Sequence, residues 1–144
     1  MTTYVDSSVL VAVYVPERFS KAARRAVRAL PQIPFTQLHE LEIHNAFELL
    51  VGRHLITREE CRAIQAQLDG DLESRRLARV PLDLDSVFTN ASDLSRAHTN
   101  RYLTRSLDLL HVAAAQVMMC STLVSADDRP VSYTHLTLPT NREV

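Results

Sequence analysis

The sequence predicts an α/β fold, with a parallel sheet covered by helices on both faces. Three observations carry that prediction. Short runs rich in β-branched and aromatic residues alternate with longer segments of helical period. Capping and turn residues stand between the two kinds of segment. Acidic residues recur where apolar segments begin or end: Asp6 closes TTYV, Asp108 opens LLHVAAA, Asp127 follows STLVSA, and Glu42 interrupts an apolar helical face. With 144 residues, 46% of them hydrophobic, the chain is sized for one domain around one core, without staples.

Thr2 to Val5 reads as a short strand, followed by a helix over Ser7 to Val15 whose first amides suit capping by Asp6 or Ser7. Arg18 to Leu30 is helical up to Pro31, and Ile33 to Thr36 is strand-like. A strong helix runs from Gln37 to Val51, with Gly52 placed to terminate it. Thr57 to Leu68 forms the next helix, opened by a T-x-x-E capping box and stopped at Asp69–Gly70. Leu77 to Leu82 is a strand, Asp85 to Ala97 a helix, Ser106 to Met119 a largely apolar helix, and Ser121 to Ser125 a strand. The ending VSYTHLTLPTNREV is Thr-rich and aperiodic, so the domain is expected over residues 1–130 and residues 131–144 as a non-native tail, the natural C-terminal end being truncated.

Composition removes several function classes. The formal charge of −1 means that any affinity for nucleic acid must come from a local basic patch. Positive charge is almost all arginine, Lys21 being the single lysine. Gly52 and Gly70 are the only glycines, too few for a P-loop or a dinucleotide fingerprint. Cys61 and Cys120 are far apart and read as reduced core thiols. No leader pattern and no membrane-length apolar run is present, so a cytoplasmic location without membrane attachment is expected.

The acids carry the chemistry. Ionised carboxylates gathered in a partly dry pocket repel one another, and cations neutralise them. An oxygen-only set suits Mg²⁺ or Mn²⁺, which act on phosphates. At about 100° per residue, Leu38, Leu49, Ala46, Leu50, Ile43 and Phe47 share one helical arc, and Glu42 falls inside it while Glu40 and Glu48 lie at or beyond its edge. Asp108 shares a face with Val112, Ala115 and Met119; as alternatives it complements the helix dipole or pairs with Arg105. Asp6 and Asp127 each follow a strand, at the sheet edge where open α/β folds bind ligands. Capping is the alternative for Asp6, and Asp128 is a rival to Asp127. Ser7 and Ser125 are candidates to bind water or orient a carboxylate. Arg101 and Arg105 are placed to hold a substrate, whereas Arg18, Lys21, Arg24, Arg25 and Arg28 form a basic face that reads chiefly as solvated. His39, His44 and His111 lack partners at zinc spacing and are read as structural or polar-surface residues. Tyr4 and Phe47 are assigned to the core.

The stretches YVDSSVLVAVYVPE, LHELEIHNAFELL, TRSLDLLHVAAAQ and STLVSADDR, spanning Thr3 to Arg129 in order, resemble the PIN domain family of metal-dependent ribonucleases, in particular VapC-like toxins of bacterial toxin–antitoxin pairs. That resemblance implies a PIN-like three-layer α/β/α fold with a central parallel sheet. It favours Asp127 over Asp128 and the metal reading of Asp108. It further implies an endoribonuclease in which Asp6, Glu42, Asp108 and Asp127 position one or two Mg²⁺ or Mn²⁺ ions against an RNA phosphodiester. A small antitoxin partner and a homodimer are also implied. The competing expectations are a non-catalytic binding module on the same fold, disabled by truncation, and a phosphoacceptor receiver domain, which the lack of a late lysine disfavours.

Overall fold

The computed structural model of the chain describes residues 2–126 and 140–141. Strands β1 (Thr3–Val5) and β4 (Thr122–Val124) pair in parallel, with Thr3 opposite Thr122 and Val5 opposite Val124. β5 (Thr140–Asn141) adds to β4, also in parallel. It belongs to the segment expected to stand outside the fold; the rest of residues 127–144 lies outside the described residues. β2 (Ile33–Phe35) and β3 (Leu77–Arg79) form a second parallel pair beside β1.

Residue alternation along the strands builds a core on each face. Tyr4 and Leu123 pack with α5 (Leu84–Leu94) and α7 (Ser106–Val117), through Val87, Ala91, Leu109 and Val112. Val5 and Val124 pack instead with α1 (Ser7–Tyr14), α2 (Ser20–Arg28), α3 (Gln37–Gly52) and α4 (Arg58–Glu73), through Leu10, Val27, Phe47 and Leu68. The predicted three-layer α/β/α arrangement is therefore the one observed.

The strands divide between β1 and β2 for a chemical reason. Ile33 N–H donates to the Arg76 carbonyl and Phe35 C=O accepts from Val80 N–H, so both face β3. Alternation then turns Pro34 toward β1, and proline has no N–H to donate. The Val5 carbonyl on that side accepts instead from His39 Nε2, at 2.7 Å. A side chain thus closes the seam that a backbone ladder cannot.

Two helix ends differ from expectation. α4 runs through Asp69–Gly70 to Glu73, because Gly70 keeps an ordinary negative φ while Leu68 and Leu72 continue the packed face. The left-handed turn comes later, at Arg75 with φ 61°. Likewise Gly52 is the last residue of α3, and His54 takes the left-handed conformation with φ 59°. The predicted capping box is present: Thr57 Oγ1 accepts from Glu60 N–H and Glu60 Oε1 from Thr57 N–H, each at 3.0 Å. After α5 the chain passes through a π-helical stretch, Ser95–Thr99, and one helical turn, α6 (Asn100–Tyr102), before α7. Among the described residues no helix is long and apolar enough to cross a membrane, and both cysteines are free and buried.

Candidate functional site

The carboxyl ends of β1, β2 and β4 deliver Asp6, Thr36 and Ser125 to one edge, and all three are buried. Asp6 occupies the N-cap of α1, yet its side chain makes no capping hydrogen bond. Its Oδ2 accepts from the hydroxyls of Ser125 at 3.0 Å and Ser8 at 3.3 Å. The carboxylate is therefore held by one side chain from the end of β4 and one from the first turn of α1, and capping does not account for it.

Glu42 comes to the same place on α3. Its side chain is 25% exposed, against 39% and 57% for Glu40 and Glu48, which pair outward with Arg79 and Arg58. The buried face of α3 follows Leu38, His39, Ile43 and Phe47, while Leu49, expected in the arc, is 44% exposed. The arc is rotated toward His39 because that polar ring finds internal partners. Ser7 Oγ donates to Glu42 Oε1 at 3.2 Å, so the serine after Asp6 links β1's end to α3. Asp108 lies in the first turn of α7, half-buried, with its Oδ2 shut off from solvent.

One turn beyond Asp108 stands His111, assigned from sequence to a structural or surface role. The structure places it at the centre of the acids. It is 2% exposed; its Nε2 contacts Glu42 Oε1, lies 3.2 Å from Ser7 Oγ and 3.9 Å from Asp6 Oδ1, and its Nδ1 is 2.5 Å from the Tyr4 hydroxyl. Burial pushes its pKa down, but the hydrogen bond to Glu42 and the charges of Asp6, Glu42 and Asp108 outweigh burial, and the net direction is up. The ring presents one nitrogen to the Tyr4 hydroxyl and the other to the Glu42 carboxylate, which can only accept. Burial, followed by the Asp6 charge, pushes Tyr4 well above the usual phenol range, so its hydroxyl stays protonated. Spacing could not reveal this group, since Glu42, Ser7 and Tyr4 are 69, 104 and 107 residues from His111 in sequence. The available signal was a polar ring among residues that burial would force to find a partner.

Of the remaining candidates, Arg101 and Arg105 are exposed, the Arg101 guanidinium 5.6 Å from the Tyr102 ring centre. Asp127 and its rival Asp128 lie outside the described residues. Carboxylates of Asp6, Glu42 and Asp108 are the donors that a hard divalent cation takes, so the set fits such an ion in kind. Among the described residues no three acidic, histidine or cysteine side chains converge as a ready ligand shell. His111 stands against Asp6 and Glu42 in the arrangement seen here.

Comparison with known proteins places the fold. A family model described as the PIN domain matches residues 3–135. No curated protein sequence matches the chain. Among solved structures, FitAcB from Neisseria gonorrhoeae superposes with a TM-score of 0.72 at 12% identity, covering 99% of this chain and 98% of that one. VapBC2 from Rickettsia felis, bound to a DNA fragment from its promoter, gives 0.69 at 14% identity and 98% coverage of both. VapC20 of Mycobacterium tuberculosis, a Sarcin-Ricin loop cleaving toxin, gives 0.69 at 16% identity, covering 99% and 98%. With the family model spanning nearly the whole chain and the three-layer parallel architecture agreeing with it, the protein belongs to the PIN domain family.

Proposed function

We propose that this PIN domain protein is a Mg²⁺- or Mn²⁺-dependent endoribonuclease and the toxin of a toxin–antitoxin pair. The observation that carries the reading is the meeting of Asp6 and Glu42 at the buried His111 ring, on which the Asp108 charge also acts, at the strands' carboxyl edge. Family membership and the structural likeness to a toxin described as cleaving the Sarcin-Ricin loop support it.

In this reading Asp6, Glu42, Asp108 and Asp127 hold the metal. When bound, a divalent ion lowers the pKa of water and offsets charge on a phosphodiester. The protein's own share is positional. Ser125 and Ser8 fix one oxygen of Asp6, leaving the other turned toward His111, and Ser7 fixes Glu42. Arg101 and Arg105, exposed on the approach to α7, bind phosphates of the RNA. A small antitoxin and a second copy of the chain are the expected protein partners. The exposed leucines Leu103 and Leu107, beside Asp108 in sequence, offer apolar surface to the former.

The test is cleavage of total RNA by purified protein with Mg²⁺, Mn²⁺ or EDTA, for wild type and Asp6→Asn. The expected result is metal-dependent scission by wild type alone. Folded wild-type protein that binds RNA yet never cuts it under any ion points to the non-catalytic module instead.

A further inference from the structure

We propose that His111, clamped by Tyr4, is a positioning residue: it holds the Glu42 and Asp6 carboxylates, which come from different elements, on one side of the site from which they take up a divalent ion. The inference rests on the metal reading above and deepens it.

The geometry supports it in three ways. First, His111 is the group the separate pieces share. Its Nε2 meets Glu42 from α3, Ser7 from the start of α1 and, at 3.9 Å, Asp6 from the end of β1. Without it, the bond from Ser7 Oγ to Glu42 Oε1 is a single hydroxyl contact at 3.2 Å, weak restraint for a side chain with three rotatable bonds. Second, the imidazole is itself fixed. α7 sets its height, burial at 2% exposure excludes water, and the Tyr4 hydroxyl at 2.5 Å from Nδ1 sets the ring's rotation. Tyr4 is fully buried and sits in the middle of β1, so the orientation of Glu42 is referred back to the central sheet. Third, Asp108 and His111 are one helical turn apart on α7, so the helix that offers one carboxylate also carries the residue that arranges the other two. Groups that orient metal-binding carboxylates from behind are worth about 10- to 100-fold in metal affinity when removed.

The experiment measures Mn²⁺ affinity by calorimetry on full-length wild type, His111→Gln, His111→Leu and Tyr4→Phe, with the fold of each checked by circular dichroism. Glutamine keeps an N–H donor near the Nε2 position and is expected to stay within a few-fold of wild type. Leucine keeps bulk without a donor and is expected to weaken binding by about 10- to 100-fold. Tyr4→Phe keeps the ring and loses only the hydroxyl, so a folded variant with intermediate affinity is expected, which keeps the test decisive if the leucine protein fails to fold. Folded His111→Leu or Tyr4→Phe that binds Mn²⁺ as tightly as wild type, or more tightly, overturns the proposal and makes the imidazole a competitor for the ion's place. Wild type that binds neither Mn²⁺ nor Mg²⁺ overturns the metal reading itself, a result distinguishable from the first because it appears before any substitution.

Discussion

His39 and His111 are two buried imidazoles whose ring centres are 5.3 Å apart, and their surroundings push their pKa values in opposite directions. His39 sits at the seam between β1 and β2. Its Nε2 donates to the Val5 carbonyl and its Nδ1 accepts from Thr36 N–H at 3.0 Å. Those partners suit the neutral ring, and burial, then the neighbouring His111 charge, depress its pKa to about 3. His111 is as deeply buried, but it faces carboxylates and is pushed the other way. Burial alone therefore decides neither the charge nor the role of a histidine. The partners decide, and here they divide one patch of core into a structural joint at His39 and a ring facing carboxylates at His111.

The largest way to break this contrast is at the acids. Asp108→Asn removes one of the charges that raise the His111 pKa and one proposed ligand. Cleavage should fall by at least about 100-fold, while apo stability changes by no more than about 1 kcal/mol, because repulsion among the acids is relieved as the His111 attraction is lost. Denaturant melts of the metal-free variant check the second half. A clear loss of apo stability would return Asp108 to a helix-dipole or Arg105-pairing role.

Acid should strike the seam next. His39 has a folded pKa of about 3 against an ordinary 6.5, so its contribution to stability is complete above pH 6.5 and drains as pH falls toward 3. The slope is about 1.4 kcal/mol per pH unit while the unfolded ring alone takes up the proton. Subtracting the pH–stability curve of His39→Gln from that of wild type isolates the effect. Parallel curves between pH 6 and pH 4 would mean that His39 is not held neutral.

At neutral pH, His39→Leu leaves the Val5 carbonyl and the Thr36 amide without this partner. A loss of about 2–4 kcal/mol is expected, with Mn²⁺ affinity per folded molecule kept within a few-fold. The His111→Leu protein should show the reverse balance, and equal metal defects in the two would erase the distinction. The smallest effect is a control far from both rings. Gly70→Ala, in the interior of α4 with no heavy atom near the new methyl, should raise stability by about 0.5–1 kcal/mol and leave metal binding alone. Destabilisation there would show strain in α4.

Much of this was legible in the chain before folding. Local chemistry was sufficient for the order of strands and helices, the Thr57–Glu60 capping box and the placement of Asp6 after β1, since each depends on residues within a few positions of one another. Glu42 was separable from Glu40 and Glu48 by helical period alone. The seam was not legible, although Pro34 was in plain sight: its meaning depends on which neighbour its missing N–H faces, and that requires β3 to be in place. Gly70 misled because a glycine stops a helix only when the chain must turn left-handed there, and packing of Leu68 and Leu72 carried α4 onward.

The sequence by itself determined the architecture and nominated the acids, because periodicity, capping and strand-end position are short-range properties. Tertiary structure alone decided that His111 stands among those acids, that Tyr4 orients it and that His39 seals a broken ladder. Each of these depends on contacts between residues that are 34 to 107 positions apart. A buried polar ring takes its charge from whichever partners the completed fold brings to it, and no local pattern encodes those partners.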